Sequence, residues 1–203
     1  MNALYYRTRL WETLTPDYVA DMAERFHFRE QDIPLIEAVA RDIRGCIKDQ
    51  EALEIILTKG YADVAITLGS NLDILMDKYS RKGMLLEQLA AENIISDILM
   101  KFYNQVTGIV EEESGLYAGG FHFWGAEKNL PLEQLGEELK RFQKIKLTCT
   151  KDFSLRPAKS VVYRMNLLCT RGADGGSSIC QNCPNQCDNK QAFYRDNEAG
   201  YSL

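Results

Sequence analysis

Three thiols stand within eight residues in Cys180-Gln181-Asn182-Cys183-Pro184-Asn185-Gln186-Cys187. Gaps this short let a tight turn bring successive sulfurs to one side, where thiolates can share a single inorganic centre. Cys169 stands eleven residues before Cys180. The Gly/Ser/Asp-rich stretch between them is pliable enough to return it as a fourth ligand. The expected ligand set is therefore Cys169, Cys180, Cys183 and Cys187. Zinc favours two pairs with two-residue gaps. Here the second gap is three residues and a proline follows Cys183, which suits an iron–sulfur cluster better, although the spacing coincides with no standard ferredoxin run. An iron–sulfur cluster is the leading expectation and zinc the alternative. A disulfide, redox thiols or no metal make up the third reading. Each metal could equally do no more than staple the tail.

The remaining chemistry is sparser. His122 lies in Gly119-Gly120-Phe121-His122-Phe123-Trp124-Gly125, where paired glycines admit a ligand close to the backbone or let aromatic residues pack in a hairpin. His27 ends a helical segment, which favours a cation at the surface. Met84 and Met100 read as core filling, and Cys46 and Cys149 as small buried apolar residues. The run Glu111-Glu112-Glu113 reads as the solvated end of a long helix. The Gly-Gly pair is no dinucleotide fingerprint, and neither a phosphate loop nor a hydrolase triad motif occurs.

These residues need elements to position them. Thr15-Pro16-Asp17 is a helix start, with a capping hydroxyl, a first-turn proline and an acid suited to the helix dipole. A second helix is expected over Asp32–Lys48, with Ile36, Val39, Ala40, Ile43 and Ile47 on one face. Strands are expected at Glu54–Leu57 and Ala62–Leu68, punctuated by Gly60 and Gly69. Ser70 would cap a helix through Tyr79. Met84 to about Val110 reads as one long helix with an apolar surface broad enough to be buried on more than one side. Gly115–Trp124 reads as a strand leading into a loop, Pro131–Phe142 as a helix, and Ile145–Thr150 and Ser160–Leu168 as strands. This mixed order predicts the α+β class, with residues 1–168 forming one domain and 169–203 a cysteine-rich metal-binding tail.

Bulk properties bound the partners. The 203 residues suffice for one well-cored domain, so the cysteines are not needed as folding staples. A net charge of −5 argues against general nucleic-acid binding. Neither a secretory leader nor an apolar run long enough to span a membrane is found, and a cytoplasmic location is expected. In a reducing compartment, clustered thiols are more often metal ligands or redox groups than disulfides.

In this order the elements resemble the activation (reactivation) domain of cobalamin-dependent methionine synthase, over roughly residues 30–168. The resemblance is carried by Ala65-Ile66-Thr67-Leu68-Gly69 before a helix and by Leu89-Ala90-Ala91 in the long helix. Leu147-Thr148-Cys149-Thr150 and Arg156-Pro157-Ala158-Lys159-Ser160-Val161 complete it. It implies a twisted antiparallel sheet packed with helices, including one long central helix. It also implies S-adenosylmethionine binding and docking over a corrinoid whose oxidised cobalt is reduced and remethylated. The family's adenosylmethionine motif is an arginine, three residues, then Gly-Tyr. With Gly125 on that glycine, Phe121 takes the arginine's place and Ala126 the tyrosine's. The cation for the ligand's carboxylate is then missing, so adenosylmethionine binding is not carried over.

The cysteine tail lies outside the family's domain. As an iron–sulfur centre it would supply an electron carrier where the synthase relies on an external reductase. The function expected is reductive activation of a corrinoid-dependent methyltransferase by an accessory protein. Phe121, His122, Trp124 and Gly125 would face the corrinoid or a small ligand, with Lys159 and Ser160 as positioning residues. The expected partners are a corrinoid protein or cobalamin-dependent methyltransferase and an electron donor. The alternatives are a non-enzymatic corrinoid-protein-binding module with a structural zinc or iron–sulfur site, and an adenosylmethionine-binding reactivation protein.

Overall fold

The computed structural model describes residues 2–126 and 128–170. Strand β1 (Asn2–Tyr6) opens the chain, and helix α1 (Pro16–Arg25) follows a short 3-10 turn. The expected cap is present: Thr15 Oγ1 accepts from the Tyr18 amide at 3.2 Å, with Pro16 in the first turn and Arg25 in the last. Helix α2 (Ile33–Ile47) buries the five residues its periodicity marks, from Ile36 to Ile47. Strands β2 (Ala52–Leu57) and β3 (Tyr61–Thr67) form a hairpin. Its turn is closed by Thr58, whose amide and hydroxyl both donate to the Tyr61 carbonyl.

Helix α3 (Asn71–Arg81) precedes helix α4 (Leu85–Ser114), which ends at Gly115 in the left-handed conformation (φ 66°). At 30 residues α4 runs about 45 Å. It buries Ala90, Ala91, Ile94, Ile95, Ile98, Phe102, Val106 and Val110, which is why its apolar surface is too wide for a single face. Strand β4 (Tyr117–Phe123), the short helix α5 (Leu135–Leu139), the two-residue strands β5 (Thr148–Cys149) and β6 (Leu155–Arg156), and strand β7 (Ser160–Leu168) complete the order.

The class is α+β. A five-stranded antiparallel sheet runs β1-β2-β3-β7-β4, while β5 and β6 pair separately. Alternation sorts its side chains between two layers. Leu53, Ile55, Val64, Ile66, Tyr163 and Met165 join the helices in the main core. Ala52, Ile56, Ala65 and Val162 turn the other way, under Trp124, Leu130, Leu135, Leu139, Phe142, Ile145 and Leu147. Covering both faces explains why β2 along its whole length, and β3 beyond Tyr61, are buried.

Several expectations are corrected. The expected helix over Pro131–Phe142 is a 3-10 turn, Leu132–Gln134, running into α5, which ends at Leu139. The expected strand Ile145–Thr150 shrinks to Thr148–Cys149. Lys140, Arg141 and Phe142 continue as tight turns, their amides donating to the carbonyls of Glu137, Glu138 and Leu139, and buried Glu54 then accepts the amides of Gln143, Lys144 and Ile145, each at 2.9 Å. Those amides are committed to a carboxylate and serve neither helix nor strand. Ser70 stands at the start of α3 but makes no capping bond; the Asn71 amide turns to Gln50 Oε1 at 3.3 Å. Cys46 and Cys149 are half-buried. Glu111 is drawn back to the fold, accepting the Ala118 amide at 3.0 Å, while Glu112 and Glu113 are exposed. Among the described residues no helix is long and apolar enough to cross a membrane.

Candidate functional site

The strand that carries most of the expected site has an irregularity at its glycines. Register along β4 shifts between Ala118 and Phe121, so Gly119 and Gly120 form a bulge against β7. Beyond the bulge, neighbouring side chains part company. Phe121 turns to the helix layer and packs on Tyr163 (ring centroids 5.3 Å apart) and edge-on to Tyr103 (5.9 Å). Tyr163, wholly buried with no partner for its hydroxyl, has its phenol pushed well above the usual range by burial.

His122 lies on the opposite face, its Nε2 2.7 Å from Asn166 Nδ2. Trp124 is buried in the second layer, and its indole N–H finds no acceptor among the described residues. Its ring forms one side of a cation–π stack: the Arg164 guanidinium lies 3.8 Å from the Tyr61 ring centroid and 5.6 Å from that of Trp124. Asp63, with 0% exposure, accepts from Arg164 Nε at 2.7 Å and from Arg141 Nη1 at 2.6 Å. A buried carboxylate needs such partners, and here they tie β3 and β7 to the chain just after α5. Gly125 (φ 85°) ends the strand, its amide donating to the Leu130 carbonyl at 2.7 Å.

Lys159 and Ser160 lie at the far end of the sheet, at the start of β7. Lys159 Nζ is 2.5 Å from Glu92 Oε2 on α4, and Ser160 Oγ is 2.8 Å from Thr67 Oγ1. The six residues therefore do not line one cavity: Phe121 belongs to the helix layer, His122 and Trp124 to the other face, and Lys159 and Ser160 to the opposite sheet end. Cys169 is exposed, one residue beyond β7. Cys180, Cys183 and Cys187 lie outside the described residues. Among the described residues no group of three or more His, Cys, Asp or Glu is placed to hold a metal.

The structure adds a place that sequence reasoning missed. A cleft of about 300 Å3 opens where β2 begins and β3 ends. Arg7, Asp49, Gln50, Gly69, Lys144 and Lys146 are among the residues lining it, with Thr67, the partner of Ser160, in its wall. Glu51 also lines it, 1% exposed, and neither carboxylate oxygen makes a hydrogen bond among the described residues. Burial pushes its carboxyl up to about 7; the Trp11 and Leu10 amides and the Thr8 hydroxyl pull it down, without reaching hydrogen-bond geometry. The signal for this region was present as charged residues interrupting apolar strands, Glu54 in Ala52–Leu57 and Asp63 in Tyr61–Thr67. What they would hold was not readable, because their partners lie 78 to 101 residues further along the chain.

No family model matches the chain. No curated protein matches it either.

Proposed function

We propose that the protein is an accessory factor that delivers electrons to the corrinoid of a cobalamin-dependent methyltransferase, with Cys169, Cys180, Cys183 and Cys187 holding an iron–sulfur cluster. The cysteine run carries this reading: three thiols lie within eight residues, and a fourth stands exposed just past the strand that pairs with β4. Four thiolates are the donor set such clusters use, and their potential follows from sulfur hydrogen bonding and exposure. The five-stranded antiparallel sheet and long helix agree with the architecture of the domain the sequence resembles.

Anaerobic purification with iron, sulfide and zinc analysis tests the reading. Iron and sulfide in equal amounts, a broad visible charge-transfer band and, once the cluster has been reduced by a low-potential one-electron donor that is then removed, transfer of that electron to Co(II) on an added corrinoid methyltransferase are expected. Cys183→Ser should abolish all three. Stoichiometric zinc with no visible band would end the redox role and leave a docking module with a structural metal.

A third reading, adenosylmethionine binding, gains a residue. Arg156 is exposed and is followed after three residues by Ser160-Val161, the spacing of the family's arginine and Gly-Tyr pair. Calorimetry with adenosylmethionine on the native chain and on Arg156→Ala decides it; no heat with either removes this reading.

A further inference from the structure

We infer that the cleft between β1, the turn before β2 and the 144–146 segment binds a phosphate-bearing small molecule. Arg7, Lys144 and Lys146 line it from two separate stretches of chain, and none of the three has an ion-pair partner among the described residues. Only one exposed acid, Asp49, shares the lining, since the Glu51 carboxyl is buried away from solvent. Setting Asp49 and Glu51 both against the three cations still leaves a local excess of at least one positive charge, on a chain whose net charge is −5. Unpaired cations held close together repel one another, and a multivalent anion relieves that repulsion.

The cleft is also built rather than incidental. The three amides bonded to Glu54 fix the turn that presents Lys144 and Lys146, so little backbone ordering is left for a ligand to impose. Its floor is close-packed: at Gly69 (φ 90°) an added Cβ would fall 2.5 Å from the Gln50 side chain. The Ser70 hydroxyl makes no capping bond and is available to a ligand oxygen. The two lysine ammoniums act as point charges and the Arg7 guanidinium as a planar fork, a combination that suits the compact multivalent charge of phosphate.

Calorimetry of the full-length, anaerobically purified protein with inorganic pyrophosphate at fixed ionic strength tests the inference. Saturable one-site binding is expected, at least tenfold weaker in Lys144→Ala/Lys146→Ala with an unchanged melting temperature. Amide resonances of Gly69, Ser70 and Lys144–Lys146 should shift on titration of the unmodified chain. Iron content and corrinoid reduction in the double variant should stay at the unmodified level, which separates this inference from the redox proposal. Absence of saturable heat, equal binding by the double variant, or shifts spread over the surface would overturn it. So would citrate binding as tightly as pyrophosphate, or adenosylmethionine displacing pyrophosphate.

Discussion

Glu51 and Glu54 stand three residues apart, each 1% exposed, and their carboxylates meet opposite surroundings. Glu54 collects three backbone amides, which is how a buried charge is tolerated. Glu51 collects none, and its carboxyl is pushed up to about 7 from an ordinary 4.5. The folded state therefore holds the Glu51 proton more tightly than the unfolded chain does. The stability this contributes is fully present below about pH 4.5 and is lost as pH rises through 7. Glu51→Gln keeps the shape and removes the ionisation. Its melting temperature should match that of the native chain near pH 4 and exceed it at pH 8. A native advantage at pH 8 would mean that the carboxylate has a partner. The sequence shows both acids flanking or interrupting an apolar run. It cannot show which will meet amides, because those of Glu54 come from 89 to 91 residues further along the chain.

Between elements, the decisive contacts are polar groups sealed under apolar ones. Asp97, 1% exposed on α4, accepts from the Tyr18 hydroxyl at 2.6 Å and from Arg25 Nη1 at 3.1 Å, both on α1. Burial first, then the Asp97 charge, drives the Tyr18 phenol far above its usual range, so it remains a donor at any pH the protein survives. Asp97→Ala takes the buried carboxylate from Tyr18, Arg25 and Lys101 while Arg25 keeps Asp21, and urea unfolding should show a loss of about 3 kcal/mol. Asp77→Ala, which breaks an exposed pair with Arg81 on α3, should stay within about 0.5 kcal/mol. Equal losses at the two sites would contradict the ranking by burial. Elements of this kind were legible where burial follows a period. α1, α2, α3 and α4 and strands β3 and β7 stand within a few residues of their expected ends, because apolar spacing alone defines them. β1 was not anticipated: it is a five-residue edge strand whose partner, β2, begins over forty residues later. The shortening of β5 escaped as well, because a carboxylate on β2 takes the amide of Ile145, where that strand was expected to begin.

For the whole molecule the question is whether the metal centre proposed for the tail also holds the fold together. Both apolar layers are assembled from residues between Leu10 and Leu167, and β7 completes its pairing with β4 at Leu168. Each face of the sheet thus has its cover before Cys169, and the sheet needs no sulfur ligand to close. A chain of this size does not rely on a metal to supply a missing core, unlike small zinc-dependent domains that unfold without one. Truncation after Thr170 removes three of the four proposed ligands and neither layer. The shortened protein should unfold in one cooperative transition, within a few degrees of the metal-loaded full chain, while binding no iron or zinc. At about 2–4 °C per kcal/mol for this length, a drop of more than about 10 °C would mean that the tail contributes upwards of roughly 3 kcal/mol. The metal would then be part of the fold. A small drop together with lost corrinoid reduction would separate a folded platform from a redox arm attached at the end of β7.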